Sequence, residues 1–343
     1  MPAKAPVFVT GASGFIARHI VLRLLRAGHA VRGSVRSGAK AADVRETMQR
    51  ELGEALDADR LSFVTLDLTS DDGWADALSG AGALIHTASP FVLNMPRNED
   101  DLIRPAVDGT RRALGAAQAA GVSRVVLTSS VVAVVYRNPM PDRALMTEAD
   151  WSDPQSPACH AYARSKTLAE RAAWDFVRDH PEIALTVINP GFVMGPPLDD
   201  DFATSMDFVK RVLGGKDPFV PRLKVDIVDV RDIAEMHVAA LSRPETVGER
   251  LIGVSGQMWL SQFAECLHDA CPGRRMARRE APDWVFRILG LFDRSIAGSV
   301  PALGKDVGSS GDKAREMLGM EFIPADRAVR DAAAFLIARG HVT

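Results

Sequence analysis

The sequence predicts an α/β fold: a doubly wound, mostly parallel sheet covered by helices on both faces, interleaved with a smaller mixed α/β lobe. Three observations carry that prediction. Short apolar runs alternate with helical patterns from Pro6 to Asn189, as strands joined by crossover helices do. A glycine-rich turn, Gly11-Ala12-Ser13-Gly14, follows the first apolar run directly. At Pro190-Gly191 the rhythm breaks, and proline, glycine and acidic residues cluster as far as Asp201, which marks a loop.

In order, the strands read as Pro6–Thr10, Ala30–Val35, Leu61–Leu66, Ala83–His86, Arg124–Thr128 and Ala184–Asn189. Each is short, apolar and bounded by turn residues, as a strand buried on both faces should be. The segments between them, Phe15–Ala27, Ala42–Leu56, Trp74–Leu78, Leu102–Ala120 and Ala161–Asp179, carry helical patterning. Beyond Pro190 the helical stretches lie near Ser205–Leu213, Arg231–Leu241, Ser261–Ala270, Trp284–Phe292, Gly311–Leu318 and Pro324–Arg339. Asp226–Val228 and Arg250–Val254 have the character of short strands. The chain therefore divides into a larger part, residues 1–190, to which some of 226–245 returns, and a smaller part over 191–343.

Composition narrows the classes. With 343 residues, 47% hydrophobic and 25% charged, the chain has the make-up of a globular protein with a sizeable core. A net charge of −3 argues against a nucleic-acid partner. Cys159, Cys266 and Cys271 are odd in number and form no Cys-x-x-Cys pair, which fits a reducing cytoplasm and offers no zinc site. No metal ligand set and no apolar run of membrane-spanning length is expected, so no membrane association.

The chemistry is carried by four places in the chain. In Thr10-Gly11-Ala12-Ser13-Gly14-Phe15-Ile16-Ala17, Gly11 permits the tight turn and Gly14 lets a diphosphate approach the helix N-terminus. Ala17 stands where a third glycine is usual and is small enough for close packing. At the end of the second strand, Val31-Arg32-Gly33-Ser34-Val35-Arg36 holds no acid for a ribose hydroxyl. Arg36, helped by Arg32 or Lys40, suits a 2′-phosphate, which points to NADP(H) rather than NAD. Asp67-Leu68, after the third strand, either approaches the adenine or caps the next turn. Thr87-Ala88-Ser89 would run beside the cofactor, with Phe91 reaching the substrate. Thr128-Ser129-Ser130 ends the fifth strand with hydroxyls. Tyr162 and Lys166, four apart on a helix, share one face. A cation beside a phenol favours the phenolate, so Lys166 is expected to lower the Tyr162 pKa.

Together with Asn189-Pro190-Gly191-Phe192-Val193-Met194-Gly195-Pro196 and Asp229-Val230-Arg231-Asp232-Ile233-Ala234, these stretches make the chain resemble the extended short-chain dehydrogenases/reductases. Within them it is similar to the dihydroflavonol, cinnamoyl-CoA and methylglyoxal (aldehyde) reductase group. The resemblance spans residues 7 to 234, and beyond about residue 255 it is weak. It implies a Rossmann-type NADP-binding sheet with a substrate-binding lobe, and Ser130, Tyr162 and Lys166 as the catalytic set. Lys166 would also bind the nicotinamide ribose. Pro190 would open the loop beside the nicotinamide, with Gly191, Phe192 and Val193 touching its carboxamide. Val131-Val132-Ala133, where plant members have small polar residues, argues against a flavonoid.

The implied activity is NADPH-dependent reduction of an aldehyde or ketone. Phe91, Val132, Phe192 and Met194 would contact the carbonyl compound beside Ser130 and Tyr162, and their apolar character suggests a hydrophobic or aromatic substrate. A nucleotide-sugar epimerase or dehydratase uses the same three residues, and Arg211, Arg222 and Arg231 keep a diphosphate site open. A non-catalytic dinucleotide sensor is the third alternative. The protein is expected to be a monomer or a homodimer.

Overall fold

A computed structural model of the chain describes residues 5–89 and 98–342. The first part runs β1 (Val7–Thr10), α1 (Phe15–Arg26), β2 (Val31–Val35), α2 (Gly38–Leu52), β3 (Leu61–Thr65), α3 (Trp74–Leu78), β4 (Ala83–His86), α4 (Asp100–Ala119), β5 (Arg124–Thr128), β6 (Arg143–Met146), α5 (Ala161–Asp179) and β7 (Ala184–Pro190). It continues through β8 (Phe192–Met194), α6 (Thr204–Leu213), β9 (Lys224–Asp229), α7 (Val230–Ser242), β10 (Arg250–Gly253), β11 (Gly256–Trp259) and α8 (Leu260–Ala270). The last elements are α9 (Asp283–Leu289), α10 (Arg294–Ser299), β12 (Asp306–Ser309), α11 (Asp312–Leu318) and α12 (Ala325–Ala338). Among the described residues no helix is long and apolar enough to cross a membrane.

The six strands expected in the first half all form. They pair in parallel, in the order β3-β2-β1-β4-β5-β7, and β10 adds a seventh at the edge beside β7. Strand order reverses at β1, which pairs with both β2 and β4. Loops after β1 and β4 therefore diverge and leave a crevice at the carboxyl edge. Both faces are covered. On one, α1 and α7 bury Ile20, Leu24, Ile233 and Met236; on the other, α3, α4 and α5 cover Phe8, Leu84 and Val125. Helix α7 packs against α1, so the chain returns to the large sheet after leaving it. A second core gathers α6, α8 and α12 over β9, around Phe263, Met206 and Val329.

Sequence patterning misplaces some ends and misses four strands. Helix α2 starts at Gly38 because Ser37 caps it, accepting from the Lys40 N–H, and a separate 3₁₀ turn follows over Gly53–Ala55. Strands β6, β8, β11 and β12 are three or four residues long, too short for a period to register. They find partners far along the chain: β12 pairs with β6, and β8 and β11 flank β9. Residues 192–194, expected in a loop, are thus strand.

Candidate active site

A cleft of about 1240 Å³ opens at the carboxyl edge of the sheet, between the glycine turn and the second core. Gly11 adopts φ +64, and a Cβ there would lie 3.2 Å from the Ala88 backbone. A Cβ on Gly14, the N-cap of α1, would stand 3.3 Å from the Gly11 carbonyl oxygen. Helix α1 has neither a capping side chain nor an acid in its first turn. Its N-terminal amides and positive dipole end are left for an anion, as a diphosphate requires. Ser13, Gly14, Phe15 and Ile16 line the cleft, as do Thr87, Ala88, Ser89 and Leu68. This backbone cradle, in which no side chain fits at Gly11, suits a dinucleotide.

Several sequence-expected residues are placed otherwise. Thr10 is fully buried and not part of the cleft wall. Its hydroxyl oxygen accepts from the Thr87 and Ala88 N–H groups, both at 3.0 Å, and its proton goes to His86 Nδ1 at 2.8 Å. Thr10 thus staples the two diverging strands together. Asp67 caps its own turn, accepting from Thr69 N–H at 2.8 Å and from the Thr69 hydroxyl at 2.7 Å. Those bonds hold its carboxyl below the usual value, and it lies outside the cleft wall. Arg32 donates to the Ala77 and Ser79 carbonyls at 2.9 and 2.8 Å, which removes it as a phosphate ligand. Pro190 closes β7, buried outside the cleft wall. Met194, wholly buried in the second core, does not line the cleft, whereas Phe192 and Val193 do. Phe91 lies outside the described residues.

Arg36 is exposed at the end of β2 and lines the cleft together with Lys40. Lys40 also pairs with Asp201 at 2.5 Å. That acidic loop is clasped to α1 and α2. Buried Arg18 donates to the Ser13 carbonyl at 2.9 Å, meets Asp199, and lies 3.3 Å from Asp201. Thr47 donates to Asp199 at 2.9 Å.

Ser130 and Tyr162 meet at the cleft floor, sharing a hydrogen bond. Ser130 opens a 3₁₀ turn whose Val132 N–H donates to its Oγ. Tyr162 stands in the first turn of α5, which His160 caps by accepting from the Ala163 N–H. Burial pushes the Tyr162 phenol up to about 12, outweighing the Ser130 hydrogen bond that pulls it down. The expected lowering by Lys166 is not found. Burial instead brings the Lys166 ammonium down to about 8, against the pull of Glu170. Tyr162 is therefore protonated at neutral pH and able to donate. Lys166 faces a separate pocket of about 10 Å³ behind the cleft, beside His86, Ser129 and Glu170. Thr128 lines the cleft while its hydroxyl bonds His237 Nε2 at 2.7 Å.

The far side is built from Val132, Phe192 and Val193, and from residues that sequence reasoning missed. Tyr136, Met140, Lys224, Asp226, Lys305 and Val307 all line it. Phe192 packs edge-on against Phe208, ring centres 5.6 Å apart. Burial pushes Asp226 up to about 6 and Tyr136 up to about 12. No motif announces these residues. The nearest signal is rarity, since Tyr136 and Tyr162 are the two tyrosines of the chain. The arginines kept open for a sugar diphosphate are already committed: Arg211 to Asp217, Arg222 to Asp283, and Arg231 to Asp229 and Asp331.

This crevice at a strand-order reversal, with a glycine cradle above a Ser–Tyr pair, defines a dinucleotide-binding fold equipped for proton transfer. The NAD dependent epimerase/dehydratase family matches residues 7–253, and the chain belongs to that family, among the extended short-chain dehydrogenases/reductases. It is 34% identical over 288 residues to the NADPH-dependent methylglyoxal reductase of Saccharomyces cerevisiae, covering 78% of this chain and 82% of that one. It is 36% identical over 259 residues to cinnamoyl-CoA reductase 1 of Arabidopsis thaliana, covering 75% and 72%. The crystal structure of yeast methylglyoxal/isovaleraldehyde reductase complexed with NADPH superposes with a TM-score of 0.81 at 28% identity, covering 98% of this chain and 100% of that one.

Proposed function

We propose that this protein is an NADPH-dependent reductase of aldehydes or ketones, with Ser130, Tyr162 and Lys166 as its catalytic set. The observation that carries this reading is the Ser130–Tyr162 hydrogen bond on the floor of the cleft that also holds the glycine cradle and Arg36. Its relatives among methylglyoxal and cinnamoyl-CoA reductases support it. Ser13, Gly14, Phe15 and Ile16 would hold the diphosphate of NADP(H), Arg36 and Lys40 its 2′-phosphate, and Gly191 to Val193 the nicotinamide side. When bound, that cofactor supplies a hydride from nicotinamide C4 to the carbonyl carbon. Ser130 Oγ holds the carbonyl oxygen, and Tyr162 Oη gives it a proton as negative charge develops there. Lys166, one turn along α5 from Tyr162, would hold the nicotinamide ribose.

The apolar wall of Val132, Phe192 and Phe208 favours a hydrophobic or aromatic carbonyl compound. Three free, buried cysteines suit the reducing cytoplasm, and the protein works as a monomer or homodimer. The test is loss of NADPH absorbance with a panel of aldehydes, ketones and diketones. Turnover on a hydrophobic carbonyl is expected; tight NADPH binding with none across the panel would overturn the reading.

A further inference from the structure

Behind the Ser130–Tyr162 pair lies a buried polar cluster that the reaction as written leaves without a task. Its centre is Glu170, one turn along α5 from Lys166 and 1% exposed. Its carboxylate ties several elements together, and Trp174 Nε1 on the same helix also donates to Oε1 at 3.4 Å. Ser129, next to Ser130, donates to Oε2 at 2.5 Å. Asn189, next to Pro190, donates to Oε2 at 2.8 Å through an amide that also reaches the Ser130 carbonyl at 3.2 Å. Arg250 of β10 donates to Oε1 at 2.5 Å. Arg250 is itself buried, packed over the Trp151 ring at 3.8 Å and donating to the Glu148 and Asp150 carbonyls at 2.9 and 2.6 Å.

Among the described residues, the charges in this interior are two cations, Lys166 and Arg250, and one anion, Glu170. The other groups around the small pocket are neutral. Thr110 comes from α4 and Ser129 from the end of β5. His86, from β4, accepts from Thr10 at Nδ1 and is held uncharged, burial and the Lys166 charge bringing it down to about 3. Tyr162, on the same helix as Lys166, stays protonated. The pocket, about 10 Å³, has room for about one water molecule. A buried ammonium so placed loses its hydration and depends on its one nearby carboxylate to remain charged.

We propose that Glu170 is a positioning residue of the reductase site, the interior counter-charge for Lys166 and the tie between the strand ends that carry Ser130 and Pro190. Arg250 shares that carboxylate and so competes with Lys166 for it. This rests on the reductase reading for its meaning, yet it concerns a property of the protein without cofactor. It predicts opposite effects from the two members of the ion pair. Removing the carboxylate strips Lys166 of its counter-charge; removing the guanidinium leaves the whole carboxylate to Lys166.

The test is a titration of protein labelled with ¹³C at the lysine ε-carbon, without NADPH. The chain has eight lysines, and loss of one resonance in Lys166→Met assigns the signal. In the wild type Lys166 should titrate near 8. In Glu170→Gln its midpoint should fall by about one pH unit or more, and in Arg250→Met it should rise by about half a unit. A merely structural Glu170 would give no such pair of opposite shifts. An unmoved midpoint in Glu170→Gln, or a fall in Arg250→Met, overturns the proposal. If Glu170→Gln does not fold, the Arg250→Met arm decides alone. Activity is read separately: the alkaline fall of kcat/KM should follow Lys166 to lower pH in Glu170→Gln. Absence of turnover in the wild type would sink the reductase reading and leave the titration to judge Glu170.

Discussion

The two ends of the cleft are built from different materials. The dinucleotide end is backbone: Gly11, Gly14 and Gly191, where a Cβ on Gly191 would stand 2.7 Å from the Asp226 carbonyl oxygen. Its one exposed guanidinium, Arg36, stands at the rim. The chemical end is side chain, with Ser130, Tyr136, Tyr162 and Asp226 set where water is scarce. Backbone recognises a ligand shared across a family and tolerates no added atom. Buried side chains set proton affinities and shape, and they can be exchanged without rebuilding the turn. The first end therefore governs whether a cofactor stays, the second what happens beside it.

Substitutions at each end separate these roles. The largest effect is expected for Tyr162→Phe, which removes the proposed proton donor and keeps the ring. Turnover should fall by about 10²-fold or more, with NADPH affinity nearly unchanged in a fluorescence titration. Full activity would remove Tyr162 from the mechanism. Gly11→Val reverses the pattern: its φ of +64 and the contact with Ala88 forbid the side chain, so NADPH binding should weaken by roughly 30-fold or more. Arg36→Glu should cost about tenfold in NADPH affinity and leave NADH nearly untouched. An unchanged NADPH-to-NADH ratio would put the phosphate elsewhere.

The last effect is on stability rather than on binding or turnover. Asp226 carries a pKa raised by burial to about 6. The stability it contributes is fully present below about pH 4 and is lost as pH rises through about 6. Asp226→Asn cannot ionise, so it should gain up to about 3 kcal/mol over the wild type at pH 7 and nothing at about pH 4, read from urea midpoints. A gain that ignores pH would mean that the carboxyl is not the source.

The same contrast explains what could be read before folding. Gly11, Gly14, Arg36 and Ser130 stand at junctions of one strand with the next turn or helix, and Tyr162 stands in the first turn of α5. Local patterning therefore brings the glycines and the arginine to the crevice, and the parallel sheet delivers the rest. Tyr136, Asp226, Lys305 and Val307 reach the cleft only because β12 finds β6 and β9 finds β8 and β11. Such pairings leave no local periodicity. Thr10 and Arg32 are turned from the cofactor for a related reason, and Asp67 takes the capping role of its two expected ones. Each sits where a ligand contact is plausible, yet each has a nearer protein partner in His86, Thr69 or the Ala77 carbonyl, and the nearer partner wins.

The seventh strand has a consequence for how the molecule forms. β10 reaches the sheet from residue 250, after the chain has left to build β8, α6 and β9 and returned through α7. Until it docks, Glu170 lacks its guanidinium partner and β7 is an open edge. A chain ending at β7 would leave that edge unpaired and open to pairing with other chains. One long-range pairing thus both closes that edge and gives Glu170 its guanidinium, and a chain cut after β7 should aggregate rather than persist as a smaller enzyme.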